Sequence, residues 1–371
     1  MAKDRRSKLT LQVLAVALVL GTIPAWAGFD EQRSFTADTL TVRNLIGAVK
    51  ITGHSGPAFQ VMVHVQGKDG TRESIRLEAH EGSSATLEVV FPLHDQRNYV
   101  YPALGAGSSS SFNWNPEGSS KGLVSSLLSA LGSDQVKVRG SGSGFEIWAD
   151  VEIQVPRGKT LRVDNGVGKL SVKEVQGDVS VSTHSGEVDA NGVRGGLVVD
   201  TGSGNVAVEA VDGNASVDTG SGDVRLARCG GDVSIDTGSG NVELDTVHGA
   251  RLAVDTGSGN VRATALAADS VSIDTGSGDV RLAFERMGSG SFDIDTGSGA
   301  IRLALPTDAS ADIQAETGSG GIDIDLGPAA QVQRHDRDQA SVRVGGGAAR
   351  VVLETGSGGI EIAQAGSKKV Y

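Results

Sequence analysis

A five-residue motif, Asp-Thr-Gly-Ser-Gly, recurs through the second half of the chain at nearly constant spacing. Glutamate replaces the aspartate in two later copies, and successive copies up to the first of these lie 18 to 21 residues apart. A repeat length near 20 residues indicates stacked structural units that bury a continuous core between them. The copies begin at Asp200, Asp218, Asp236, Asp255, Asp274, Asp295, Glu316 and Glu354.

Each repeat is predicted to form two short strands joined by two corners. Apolar and polar residues alternate over 233–236 and again over 242–245, as in half-buried strands whose successive side chains point to opposite faces. The Gly-Ser-Gly segment between them is expected to supply the positive-φ positions of a tight corner. Two short strands cannot bury their own apolar face, so the repeats must stack.

The fold class that follows is an all-β, right-handed parallel β-solenoid, or β-helix, with coils of 18 to 21 residues. We expect each Gly-Ser-Gly corner to lie directly over its predecessor, with strands ~4.8 Å apart and about ten coils forming a rod on the order of 50 Å long. Right-handedness is expected because parallel crossover connections almost always have that hand. An antiparallel sandwich is the competing interpretation.

The N-terminal 27 residues have the features of a secretory signal peptide. Four basic side chains precede an apolar stretch over 9–23, and Ala25-Trp26-Ala27 has the small-x-small pattern of a cleavage site. We therefore predict an exported protein in the periplasm, on the cell surface or outside the cell, with no membrane-spanning segment in the mature chain. An N-terminal anchor helix is the alternative.

The formal charge of the 371-residue chain is −12. Removal of residues 1–27 takes away four cations and one anion, which brings the charge to −15. A surface this acidic argues against nucleic-acid binding. Cys229 is the only cysteine, so no disulfide within the chain can stabilise the fold.

Three regions follow the signal peptide. We predict N-terminal β coils over 28–92, an insertion over 93–143 and the main solenoid over 144–371. Residues 40–47 look like a degenerate copy of 161–168, so the coils are expected to begin well before the best repeats.

The insertion is rich in serine and glycine and is expected to be flexible and partly disordered. Leucines at helical spacing predict a short helix over 122–131. The insertion either covers solenoid surface or forms a partner-binding loop, because aromatic side chains flanked by serine and asparagine are typical of adaptable binding surfaces. The aromatic residues of this loop are Tyr99, Tyr101, Phe112 and Trp114.

Three segments resemble the bacterial putative-adhesin family of exported β-strand-repeat domains, whose biochemical role is unknown. They are residues 42–49, residues 151–161 and the C-terminal copy at 355–362. The resemblance covers roughly 40–92 and 144–362, and the insertion departs from it. It implies a single-chain β-solenoid outside the cytoplasm, and it brings no catalytic residue to this chain.

Stacking would place six aspartates in one outward-facing file, which makes a cation-binding ridge conceivable. Neighbouring unit charges ~4.8 Å apart repel each other by roughly 0.9 kcal/mol even in water, so a cation such as calcium or local hydrogen bonds to the corner must offset the repulsion. Local hydrogen bonding is the simpler interpretation, because the chain lacks the nonapeptide of calcium β-rolls. The six residues are Asp200, Asp218, Asp236, Asp255, Asp274 and Asp295.

No pattern in the sequence predicts a catalytic residue, a cofactor site or a metal site. The Asp-Thr-Gly-Ser copies resemble an aspartic-protease motif, but a catalytic pair needs two facing loops rather than a file. The leading hypothesis is a non-enzymatic adhesin or envelope scaffold that binds a cell-surface protein or glycan through its flat faces and loops. The alternatives are a polysaccharide-active β-helix enzyme and a calcium-stabilised module.

Overall fold

The computed structural model describes residues 28–114, 135–328 and 330–365. The signal peptide and the helix expected over 122–131 lie outside these residues. Within the described residues the chain forms 33 strands in three sheets, together with one 3-10 turn, Pro102–Leu104. The prediction of an all-β fold is confirmed.

Sheet I contains fourteen strands and sheet II contains fifteen. The strands of sheet I are β1 (Phe29–Phe35), β3 (Val49–His54), β4 (Phe59–Gln66), β11 (Trp148–Pro156), β13 (Leu170–Lys173), β15 (Val188–Val193), β17 (Val206–Val211), β19 (Val224–Cys229), β21 (Val242–His248), β23 (Val261–Ala268), β25 (Val280–Met287), β27 (Ile301–Leu305), β29 (Ile322–Asp325) and β33 (Ile360–Gln364). The strands of sheet II are β2 (Thr39–Ile46), β5 (Arg76–His80), β6 (Ser84–Val90), β12 (Thr160–Val167), β14 (Val179–Ser185), β16 (Leu197–Ser203), β18 (Ala215–Ser221), β20 (Val233–Ser239), β22 (Arg251–Ser258), β24 (Ser270–Thr275), β26 (Ser291–Ser298), β28 (Ala311–Thr317), β30 (Ala330–His335), β31 (Gln339–Val344) and β32 (Ala349–Ser357).

Sheet III is small and is built mainly from the insertion. Its strands, in spatial order, are β10 (Phe145–Glu146), β7 (Asn98–Val100), β9 (Gln135–Arg139) and β8 (Ser109–Asn113).

The repeats stack as parallel coils, each with one strand in sheet I and one in sheet II. Strand β18 pairs in register with β20, so that Asp218 lies beside Asp236, and β20 pairs in the same way with β22. In sheet I, β19 pairs in parallel with β21 and β21 with β23. The parallel solenoid is therefore confirmed, and the antiparallel sandwich is wrong for the repeats. The hand of the coil stays a prediction.

The spatial order of the coils departs from the chain order at both ends. Near the N-terminus β2 pairs directly with β12, and Leu40 lies beside Leu161, which confirms that the first coil is a degenerate repeat. Near the C-terminus β32 lies between β26 and β28, and β33 lies between β27 and β29. The expectation that each corner lies over its predecessor in the sequence is wrong there, because the coil that begins with Glu354 separates the Asp295 and Glu316 coils.

Antiparallel strands flank sheet II at both ends of the stack and sheet I at the N-terminal end, whereas sheet I ends at the other side in the parallel strand β29. At the N-terminal end β4 pairs antiparallel with β1 and β11, and β5 pairs antiparallel with β6. At the other end β31 pairs antiparallel with β28 and β30. These strands cover sheet edges that would otherwise offer backbone groups to another chain.

The core between sheets I and II consists mainly of valine, leucine and isoleucine side chains in one continuous cluster. Every threonine of the repeated motif also points inward and is buried. Seven inward threonine hydroxyls, counting Thr183 of a related corner, donate to a glycine carbonyl at 2.8 to 3.5 Å. The hydroxyls of Thr219 and Thr237 have no partner among the described residues.

Candidate functional site

The six motif aspartates form one continuous file on the outer face of sheet II. Each pairs in register with the next from Asp200 to Asp295. Two glutamates extend the file, because Glu354 lies beside Asp295 and Glu316 beside Glu354. Since parallel neighbours are ~4.8 Å apart, the result is an acidic ridge of eight carboxylates, all of them exposed.

The six aspartates of the ridge form no hydrogen bond or ion pair with another group in the described part of the chain. The expected local hydrogen bonds to the corner are therefore absent there, and solvent is the main partner of these carboxylates. Partial desolvation is the larger cause and repulsion from Asp236 and Asp274 the smaller cause of a raised pKa at Asp255. Desolvation and the neighbouring Asp218 and Asp164 raise the pKa of Asp200 in the same way.

A second file of small side chains runs beside the ridge on the same face. Ser216, Ser234, Ala253 and Ser272 lie in register and are exposed. Together the two files make a surface with few protruding side chains, which we call the flat face. The outer face of sheet I differs, because Arg225 forms an ion pair with Glu243 at 3.0 Å and longer charged side chains project from it.

The Gly-Ser-Gly corner depends on the last glycine of the motif. Gly240 has a φ of +154°, and a Cβ atom there would lie 2.0 Å from the carbonyl oxygen of Gly222. The first glycine, Gly238, lies outside the positive-φ region, and its constraint is close contact with the neighbouring coil. The expectation that the corner contains positive-φ glycine is correct for the last glycine of the six aspartate copies, and it is wrong for the two glutamate copies, which end in Gly320 and Gly358.

Next to this corner, a ladder of asparagine and aspartate side chains joins successive coils. The side-chain oxygen of Asn205 accepts a hydrogen bond from the backbone N–H of Asp223 at 3.0 Å, and Asp223 accepts one from Asn241 at 2.8 Å. The ladder continues through Asn260 and Asp279. The signal for it was present in the sequence as the recurrent Asn or Asp directly after the motif.

The structure buries three of the four aromatic side chains assigned to the partner-binding loop. Tyr99 is 0% exposed, and Tyr101 and Phe112 are each 5% exposed. Burial raises the pKa of Tyr99 above its usual range, and burial together with Asp150 raises the pKa of Tyr101 to about 12. Of the four, only Trp114 presents appreciable area to solvent, so the binding-loop hypothesis depends on Trp114 and on segments outside the described residues.

Phe112 shows how the insertion attaches to the solenoid. Its ring stacks on His184 with centroids 4.7 Å apart, and a Cβ atom on Gly166 would lie 2.8 Å from the ring. Burial lowers the pKa of His184, because desolvation disfavours the charged imidazolium beside the phenyl ring. The insertion therefore packs on the glycine corner of the first coils, as the covering interpretation expects.

Within the described residues no group of three or more His, Cys, Asp or Glu side chains is placed to hold a metal ion. In the same part of the chain, no helix has the length and apolar character needed to cross a membrane. The ridge is a line of carboxylates rather than a convergent cluster, and calcium needs six to eight oxygen ligands around one point.

One family model and two solved structures are similar to the chain. The family model described as Toastrack DUF4097 matches residues 133–363. A solved structure of a "putative cell adhesion protein" from Clostridium sporogenes is 13% identical over 91% of this chain and 99% of its own, with a TM-score of 0.22. A "putative adhesin" from Bacteroides fragilis is 11% identical over 90% of this chain and 97% of its own, with a TM-score of 0.33. None of the curated proteins compared with the chain matches it.

Proposed function

The chain belongs to the Toastrack DUF4097 family, and from that premise we propose that it is an exported, non-enzymatic β-solenoid that acts as an adhesin or envelope scaffold. The flat face of sheet II is the surface through which it would bind a glycan or a protein of the cell surface. The signal peptide expected over 1–27 supports export.

One observation carries the proposal: the flat face repeats the same chemistry from coil to coil without interruption. Carboxylates of the ridge lie beside small side chains over four successive coils, from Ser216 to Ser272. A periodic surface of this kind can bind a periodic or extended partner at several points at once, and linked contacts strengthen binding without any single strong contact.

The arrangement of charged groups supports a non-enzymatic role. General acid–base chemistry needs groups with matched pKa values that converge on one reacting atom. The six aspartates of the ridge form a line on an exposed surface instead. The two glutamates, Glu316 and Glu354, line a recess of about 250 Å3 beside Arg334. Turnover of a panel of bacterial polysaccharides by the purified chain would contradict this part of the proposal.

A matched pair of substitutions tests the flat face. Ala253→Arg places a long side chain in the middle of the flat face, whereas Ala207→Arg does the same on the exposed outer face of sheet I. Beads coated with the full chain are incubated with bacterial cells and with purified envelope polysaccharide. We expect Ala253→Arg to lower bead retention at least about fivefold, because a projecting side chain breaks a flat contact, and Ala207→Arg to leave it unchanged.

Equal retention for both variants would contradict the flat face as the binding surface. Fractionation of cells that produce a C-terminally tagged chain tests export separately, since a cytoplasmic pool of uncleaved protein would contradict the assignment to the envelope.

A further inference from the structure

A polar cleft of about 480 Å3 opens at the corner where strands of sheet I pass to sheet II, opposite the Gly-Ser-Gly corner. It lies near the N-terminal end of the stack. There β3 is followed by β4 of the same sheet, and β11 is followed by β12 of sheet II. Its walls come from the ends of four strands, β3, β11, β13 and β15, and the turns that follow them. The side chains that line the cleft include His54, Arg157, Glu174, Gln176, Asn191 and Arg194.

Backbone hydrogen bonds between neighbouring turns hold the walls of the cleft in place. The N–H of Gly158 donates to the carbonyl of Gln176 at 2.7 Å, the N–H of Arg194 donates to Val175 at 2.8 Å, and Gly177 donates to Arg194 at 3.1 Å. Val175, beneath them, is fully buried. The cleft is therefore formed before any ligand arrives, which lowers the entropy cost of binding.

Two arginines outnumber the one carboxylate, Glu174, in the lining of the cleft and give it a net positive character on a chain whose formal charge is −12. Arg157 has no ion-pair or hydrogen-bond partner in the described part of the chain. Arg194 has one distant partner, with its Nε 4.0 Å from Asp212. A guanidinium group matches a carboxylate geometrically and can bind it through two parallel hydrogen bonds.

The remaining side chains suit hydroxyl groups. Asn191 donates from Nδ2 to Glu209 at 2.6 Å, which leaves its Oδ1 free to accept a hydrogen bond. The side-chain amide of Gln176 is free in the described structure to donate or accept. His54 is fixed by its own loop, since Nε2 donates to the carbonyl of Ala58 at 2.9 Å and Nδ1 accepts from the N–H of Gly56 at 3.1 Å.

From this set we infer that the cleft binds a carboxylate-bearing saccharide, one uronic-acid residue with its neighbour, within an acidic polysaccharide. The guanidinium groups of Arg157 and Arg194 bind the carboxylate, and Gln176 and Asn191 bind ring hydroxyls. The volume lies in the range of small-molecule sites and is too large for a bare inorganic anion. The inference names a ligand class for the proposed adhesin function. It rests on that proposed function only for the location of the chain, outside the cytoplasm, where it would encounter the ligand.

Titration calorimetry with a galacturonic-acid trimer tests the inference on the full chain, with a neutral galactose trimer and an acidic tripeptide as comparison ligands. We expect the uronate trimer to bind at least tenfold more tightly than either comparison ligand. Arg157→Ala with Arg194→Ala should weaken this binding at least tenfold. Ser55→Trp should weaken it similarly, because the exposed Ser55 lines the cleft and a ring there fills the space without removing charge.

Arg262→Ala is the matched control, since Arg262 is an exposed arginine on the outer face of sheet I away from the cleft. Loss of binding in this variant, equal binding of the neutral trimer or the tripeptide, or no binding by the parent chain would each overturn the inference. The flat-face test is independent, because Ala253→Arg does not touch the cleft. Failure of one site is thus distinguishable from failure of the other.

Discussion

Among the residues that the structure describes, five residues other than glycine hold a left-handed backbone conformation, and they occupy the same position in their coils. Their φ values lie between +49° and +57°, and Gly192 occupies the same position with φ +74°. Side chains with a Cβ atom are strained in this region by roughly 1–2 kcal/mol. The strain therefore recurs inside strands β17, β19, β21 and β23 and directly after β13. The residues are Glu174, Ala210, Arg228, Thr246 and Ala265.

Thr246→Gly should stabilise the protein. Threonine is β-branched and fits the left-handed region poorly, whereas glycine adopts it freely. After subtracting the extra entropy that glycine gives the unfolded chain, we expect a gain of roughly 0.5–1 kcal/mol in the free energy of unfolding. Urea denaturation measures it. Ala207→Gly, within strand β17, is the control and should destabilise the protein. A change of the same sign in the free energy of unfolding for both variants would contradict the strain argument.

The raised pKa of Asp255 predicts how the stability of one variant depends on pH. The folded protein binds the Asp255 proton more tightly than the unfolded chain does, so this carboxyl's contribution to stability falls as pH rises from the ordinary Asp range through the raised pKa. Asp255→Asn should therefore be more stable than the parent at neutral pH, by roughly 0.5 kcal/mol or less because the group is exposed. The difference should vanish below about pH 3.9.

Asp312→Asn provides a control of opposite sign. Arg343 donates two hydrogen bonds to Asp312 at 2.6 and 2.7 Å and lowers the pKa of that carboxyl. This variant should be less stable than the parent at neutral pH, with the difference lost as pH falls through the lowered pKa. Urea denaturation at several pH values checks both variants. If the stability differences from the parent have the same sign and the same pH dependence in both variants, the opposite pKa shifts of Asp255 and Asp312 are refuted.

At the scale of elements, the last coil is held on both sides. Strand β32 pairs with β26 and β28, and β33 pairs with β27 and β29. The two glutamate copies of the motif compete for the same neighbour, the Asp295 coil, and the copy later in the chain occupies it. The antiparallel hairpin of β30 and β31 explains this order. Because β28 also pairs antiparallel with β31, β28 must lie at the end of the stack, where the hairpin covers its outer edge.

Truncation after residue 348 should therefore lower the melting temperature more than the removal of a coil at the end of the stack would. It removes β32 and β33, so that β26, β27 and β28 each lose one of their two neighbours and β29 loses its only neighbour. We expect the melting temperature to fall by roughly 10 °C, which corresponds to about 3 kcal/mol in a domain of this size. A chain that ends at 365 keeps every described strand and is the control. An unchanged melting temperature would mean that β28 and β29 dock onto β26 and β27 without loss.

For the molecule as a whole, the ridge adds repulsion along the length of the repeats. Each interior coil contacts mainly its two neighbours, so stability approximates a sum of coil and interface terms. Repulsion between neighbouring ridge carboxylates destabilises each interface between the coils that carry them. The inward threonines and the asparagine ladder act at the same interfaces in the opposite direction.

Raising the salt concentration should increase the stability of the parent chain. Between about 0.01 M and about 1 M NaCl the screening length falls from about 30 Å to about 3 Å, which removes most repulsion across the ridge. The triple variant Asp218→Asn, Asp236→Asn, Asp255→Asn should show a clearly smaller rise in melting temperature. An equal rise in both proteins would show that the ridge does not limit stability, and a larger effect of calcium than of magnesium would favour the calcium-stabilised module.

The sequence by itself determined the parallel stack, the inward and outward faces and the register of the ridge. Those features follow from period-two alternation and from a repeat length shared by neighbouring coils, both of which are local properties of the chain. Only the tertiary structure decided that the Glu354 coil lies between those of Asp295 and Glu316, that Tyr99 and Phe112 are buried, and that four strand ends enclose the cleft. Each of these depends on which distant segments meet, and near-identical repeats carry no information in their own sequence about which of them will be neighbours.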